Sequence, residues 1–176
     1  KGYTTMPWIN NDGLLVEFGT ELAKTGTGGE FHWTGPFVQH EFDIDFSKLA
    51  AFGTITPLSY KVLIQNGILL TSAELETVVP FTSGGAPTLD IGLVDHDAAT
   101  TDSYDIDGID AAIAMTAIDA VGETVTCDGA LINTILANTG NKKSLVAVRV
   151  NTADYTAGRA KLRFNYFVPS PYVQPV

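Results

Sequence analysis

The chain has 176 residues, 45% of them hydrophobic and 17% charged, with 10 Lys and Arg against 20 Asp and Glu. That length suits one domain, and the apolar content argues against intrinsic disorder. Apolar runs no longer than about five residues exclude a helical membrane span, which needs ~20. A net charge of −10 argues against nucleic acid as a general partner, because phosphate binding needs clustered cations.

The single cysteine, Cys127, excludes an intrachain disulfide and a cysteine-based zinc cluster. Charge is divided unevenly. Residues 1–141 hold four Lys against nineteen acids, whereas residues 142–176 hold six cations against Asp154 alone. Such a split can steer a protein onto an oppositely charged neighbour or another copy of itself; it equally describes a solvated strand face on an acidic protein. The first residue is Lys1, as expected of a processed or trimmed chain, and no signal-peptide pattern follows it.

Residues 1–30, rich in Gly, Thr and Asn, read as an extended N-terminal arm with at most one short strand at 14–18. A β-sandwich domain is expected over 31–168. Val38, His40, Phe42, Ile44 and Phe46 alternate with Gln39, Glu41, Asp43 and Asp45, the period of a half-buried strand with an acidic outer face. Gly53 to Pro57 reads as a break, followed by a strand at 60–64 and a turn at Asn66-Gly67. Strands are expected at 68–79 and 88–94. Asp107 as cap, with Ile109, Ala112, Ile113 and Thr116 at helical spacing, predicts one short helix over 107–118. Strands follow at 123–127, 131–136, 144–150 and 159–168. On the last, Leu162, Phe164, Tyr166 and Val168 share one face and Lys161, Arg163, Asn165 and Phe167 the other. Pro169, Pro171 and Pro175 make 169–176 an extended C-terminal tail. The fold class is therefore all-β: an antiparallel sandwich of jelly-roll type with one short helix and two extended arms.

No catalytic constellation is visible. Nucleophile-elbow, zinc-protease and phosphate-loop signatures are absent, and His40 on an apolar face reads as a hydrogen-bonded core residue. His32 lies in an aromatic cluster read as packing, and Cys127 as a buried structural thiol. Asp95, Asp97, Asp102, Asp105, Asp107 and Asp110 fall within sixteen residues and could offer oxygen ligands to Ca²⁺, with Asp105 and Asp107 the best placed. The segment Ser103-Tyr104-Asp105-Ile106-Asp107-Gly108 mimics the start of an EF-hand loop, but position one is Ser103 and position twelve is Ala114. A turn and helix cap explain Asp107-Gly108 without metal. No other cofactor is expected.

Five segments, taken in order, resemble a family of tailed-bacteriophage virion proteins, the capsid decoration (cement) and minor structural proteins. They are Phe31-His32-Trp33-Thr34-Gly35-Pro36-Phe37, Thr88-Leu89-Asp90-Ile91-Gly92-Leu93-Val94-Asp95, Asp107-Gly108-Ile109-Asp110-Ala111-Ala112, Cys127-Asp128-Gly129-Ala130-Leu131-Ile132 and Tyr155-Thr156-Ala157-Gly158-Arg159-Ala160-Lys161-Leu162. The resemblance implies a non-enzymatic jelly-roll module, often a homotrimer, bound to the major capsid protein on the outside of an icosahedral shell assembled in the host cytoplasm. Trp8 and Ile9 in the first arm and Tyr172 and Val173 in the tail are the anchors such a module could offer a neighbour, unless the arms fold back on their own domain. The alternatives are a tail or neck component, or a carbohydrate-binding adhesion module built on Trp33, Tyr104 and the acidic loop.

Overall fold

The computed structural model describes residues 6–9, 15–18, 37–138 and 142–168. The chain divides into two compact units, Lys1–Trp33 and Thr34–Val176. In the first, β1 (Met6–Ile9) pairs antiparallel with β2 (Leu15–Phe18), so that Trp8 faces Val16 and Ile9 faces Leu15 across the ladder. The sequence predicted one strand here and the structure has two. A lone strand leaves its backbone groups unpaired, and a second strand satisfies them; Pro7 is tolerated because a two-stranded ribbon has open edges.

The second unit is built from β3 (Phe37–Asp45), β4 (Ile55–Pro57), β5 (Leu69–Thr82), β6 (Thr88–Asp95), β7 (Asp105–Ala114), β8 (Thr124–Thr126), β9 (Thr134–Ile135), β10 (Ser144–Asn151) and β11 (Ala157–Phe167). One sheet runs β3-β11-β5-β8, with β9 beside the start of β5; the other runs β4-β10-β6-β7. Setting β9 aside, the eight strands nest as first with last, second with seventh, third with sixth and fourth with fifth. All pairings are antiparallel. That is a jelly roll, as expected.

The two inner faces supply the core. Ile44, Leu70, Leu75, Phe81, Leu162 and Phe164 from one sheet meet Leu89, Ile91, Leu93, Val146 and Val148 from the other, all nearly inaccessible to solvent. Fully burying such side chains stabilises the fold by about 1.5–3 kcal/mol each. The outer faces differ. On β3 and β11 exposure alternates residue by residue, whereas Leu145 to Val148 on β10 are buried on both sides. A second cluster of Ile55, Val94, Ala99, Ile106, Leu145 and Ala147 covers that outer face.

Three other predicted elements are corrected. Residues 107–118 are not a helix: they lie in β7 and a 3₁₀ turn, Met115–Ala117. The pairing of β7 with β6 jumps from Ile91–Asp110 to Leu93–Asp105, so the backbone of 106–109 bulges over Gly92. A Cβ on Gly92 would lie 2.1 Å from the Asp105 carbonyl oxygen, so only glycine allows that approach. The bulge breaks the period of two: Ile106 is buried in the outer cluster and Ile109 and Ile113 in the core, at spacings that imitate a helical stripe. Next, the expected break at 53–57 contains β4, an edge strand where Pro57 is tolerated, while 60–64 contributes only a bridge from Ile64 to Ser144. Finally, 131–136 is mostly a turn, with Asn133 at φ +59° feeding the two-residue β9.

Exposed Ala112 holds a left-handed backbone, φ +54°, and its N–H donates to Asp90 Oδ1 at 2.9 Å. Relieving the Cβ crowding there should outweigh the added freedom of the unfolded chain. Ala112→Gly should therefore stabilise the protein by roughly 0.5 kcal/mol or more in urea unfolding. A destabilised variant would show that the conformation carries no strain.

Candidate functional site

The cations of the last segment do not form an open basic surface. β11 lies between two strands that carry acids, and its outward side chains reach diagonally across the ladder. Arg159 grips Asp43 with two hydrogen bonds of 2.7 and 2.8 Å, Lys161 Nζ lies 2.9 Å from Glu41, and Arg163 bonds Glu76 on β5. The bond from Arg159 holds the Asp43 carboxyl below its ordinary range. Exposed pairs of this kind contribute about 0–1 kcal/mol each, so they serve register more than stability.

On the other sheet the pairs are buried on the acid side. Arg149 donates to Asp90 Oδ2 at 2.8 Å, and Asn151 donates to the same oxygen at 2.8 Å. Asp95, 2% exposed, takes Lys142 Nζ at 2.7 Å and the Asn138 amide. Burial pushes the Asp95 carboxyl up, but the bonds from Lys142 and Asn138 outweigh it and leave the group below its usual range. Five of the six late cations thus meet an acid of the preceding sequence. The late cations are largely neutralised within the chain, which favours a solvated strand face over a free basic surface.

The same geometry disperses the acidic cluster. Asp95 is committed to Lys142, Asp102 caps the Ile106 N–H at 3.2 Å, and Asp110 is buried beside Cys127. Asp105 and Asp107 remain as neighbours on one face of β7, in a strand rather than in a calcium-type loop. Burial raises the Asp105 carboxyl to about 6, and a hydrogen bond and repulsion from Asp107 add to the effect. Among the described residues no three His, Cys, Asp or Glu side chains converge to hold a metal ion.

Other candidates fall into packing roles. His40 Nε2 lies 3.1 Å from the Tyr166 hydroxyl, at the rim of the core, as expected. Cys127 is 3% exposed, and burial together with the Asp110 carboxylate pushes its thiol up to about 12, so it is inert at neutral pH. Tyr104 is half-buried against the core and accepts the Ala137 N–H at 3.3 Å, so it is no open platform for a sugar ring. His32, Trp33, Tyr172 and Val173 lie outside the described residues. Trp8 and Ile9 are placed only by the backbone of β1.

One surface escaped the sequence reading. Phe37, Phe167, Leu69 and Ile135 stand on one rung across β3, β11, β5 and β9, on the outer face, with Phe37 60% and Ile135 58% exposed. The visible sign was Phe167 on the otherwise polar face of its strand. The described part of this sheet begins at Phe37 and ends just past Phe167, so the rung lies where the described residues of the domain begin and end.

No protein-family model matches the chain, and no curated protein does. Solved structures do match. A chain in the acid-stable capsid structure of Helicobacter pylori bacteriophage KHP30 aligns at 16% identity and TM-score 0.52, covering 78% of this chain and 92% of its own length. A chain in the capsid of Ralstonia phage GP4 aligns at 19% identity and TM-score 0.51, covering 84% and 94%. A third, from the cyanophage Pam1 capsid asymmetric unit, aligns at 14% identity and TM-score 0.49, covering 85% and 98%. At these identities the likeness is one of fold. The larger coverage on the phage side means that the matched chains are shorter than this one.

The raised Asp105 carboxyl gives a signed pH effect. A folded-state value of about 6 above an ordinary 3.8 means that this group favours folding below pH 4 and loses that contribution as pH rises through 6. Asp105→Asn should remove that loss, so its gain in melting temperature over the parent should grow between pH 4 and 6. A pH-independent difference would contradict the assignment.

Proposed function

We propose that the chain is a non-enzymatic structural protein of a phage virion. Within that class it acts as a decoration (cement) protein that binds the major capsid protein on the outside of the shell and stabilises the head. The observation that carries this reading is the jelly roll it shares, over most of its length, with short chains found in phage capsids. The site geometry agrees: Cys127 and His40 serve packing, and most of the late cations are occupied by the chain's own acids. The exposed rung of Phe37, Phe167, Leu69 and Ile135 offers apolar area at one end of the sheet.

A cement protein works by burying surface across junctions between shell subunits, so that genome pressure must break additional contacts. Arms suit this task, because a segment that orders on binding can cover a large area. Trp8 and Ile9, with Tyr172 and Val173, are the proposed anchors, and self-association as a trimer would present three sets at once.

Shells of the encoding virus, prepared without this protein, provide the test. The purified chain should co-sediment with them, raise their disruption temperature and appear on their outer surface by electron microscopy. Deleting residues 169–176 should weaken binding at least tenfold, the loss expected of a hot spot. Density confined to the tail or neck, or no binding to heads, would contradict the decoration role. Undiminished affinity after the deletion would contradict the tail's part in it.

A further inference from the structure

We propose that the loop-bearing end of the sandwich, opposite the apolar rung, holds a pocket for a lysine side chain of a protein partner. Three connections meet at this end. The Asp154 carboxylate accepts the Phe52 N–H at 2.6 Å, Ser83 donates to the Asp154 carbonyl at 2.7 Å, and the Thr82 and Thr156 hydroxyls lie 2.9 Å apart. Between the first and the last of these, 46–51 and 150–155, opens a cavity of about 250 Å³, walled by Phe46, Leu49, Ala51, Val150, Asp154 and Tyr155.

Size limits the occupant. Pockets for drug-sized ligands run roughly 300–1,000 Å³, so this one suits a single side chain. Its chemistry limits the occupant further. Asp154 is the only acid among residues 142–176, and none of the described Lys or Arg side chains pairs with it. One carboxylate oxygen is held by Phe52 N–H, which fixes the group and leaves the other oxygen to a ligand. Phe46 and Tyr155 are aromatic members of the same lining. An anion would be repelled by Asp154, and a purely apolar group would gain nothing from that exposed carboxylate. An ammonium on a four-carbon stem satisfies both features, with methylenes against Leu49 and Val150 and charge at Asp154.

Two further features fit a docking site. Phe52, 53% exposed, flanks Asp154 as an aromatic anchor beside the pocket. Thr152 is held at φ +75° in the turn that presents Asp154, a strained conformation for a β-branched residue. This inference concerns the isolated chain, so its failure and that of the decoration role can be told apart.

The intact protein can be titrated with n-butylammonium, n-butanol and butyrate while the methyl resonances of Leu49, Ala51 and Val150 are followed by NMR. Butylammonium should shift them saturably, at least tenfold more tightly than butanol, and butyrate should not. Asp154→Asn keeps an acceptor for Phe52 N–H and should abolish the preference while leaving the remaining spectrum unchanged. No saturable response, equal response to butanol, or a preference that survives Asp154→Asn would overturn the proposal.

Discussion

The fold depends on where its last strand goes. β11 enters the sheet between β3 and β5 and is paired along its length on both sides, Phe164 facing His40 in one direction and Ala73 in the other. Until it is in place, β3 and β5 have no contact with each other within the sheet, and the inner faces carrying Phe42, Leu75 and Phe164 cannot close on β6 and β10. This is the long-range closure of a jelly roll, in which the two chain termini of the domain are brought together in one sheet.

The charge split follows from that placement. A late strand inserted between two early ones meets them at every outward position, so bases on the former and acids on the latter become neighbours. Arg159, Lys161 and Arg163 find Asp43, Glu41 and Glu76 in this way. β10 repeats the pattern with Arg149 and Asp90. The asymmetry is thus a consequence of topology. It leaves the acidic excess of the chain facing outward, with Asp154 standing apart as an acid stranded in the basic segment.

How much was legible depended on which face each strand shows to water. β3 and β11 have one wet face, so their alternation could be read directly and their limits were found to within two residues. β7 lies in the sheet whose outer face is covered, and its bulge over Gly92 buries Ile106 and Ile109 in succession; no periodic pattern distinguishes that from a helix. β4 and β9 are too short to carry a pattern at all. The packing roles of His40 and Cys127 followed from their strand positions. The apolar rung and the Asp154 pocket did not, because the first joins residues from four strands and the second from two segments far apart in sequence, and only the fold brings them together.

The second unit has two distinct ends: an apolar rung at one and a small acid-lipped pocket at the other. The central claim is that insertion of β11 holds the domain together, and native-state hydrogen exchange tests it most directly. The amides of Ala160 to Asn165 should exchange only through global unfolding, in step with their partners on β3 and β5. Exchange of β11 through local opening, ahead of β6 and β10, would contradict it.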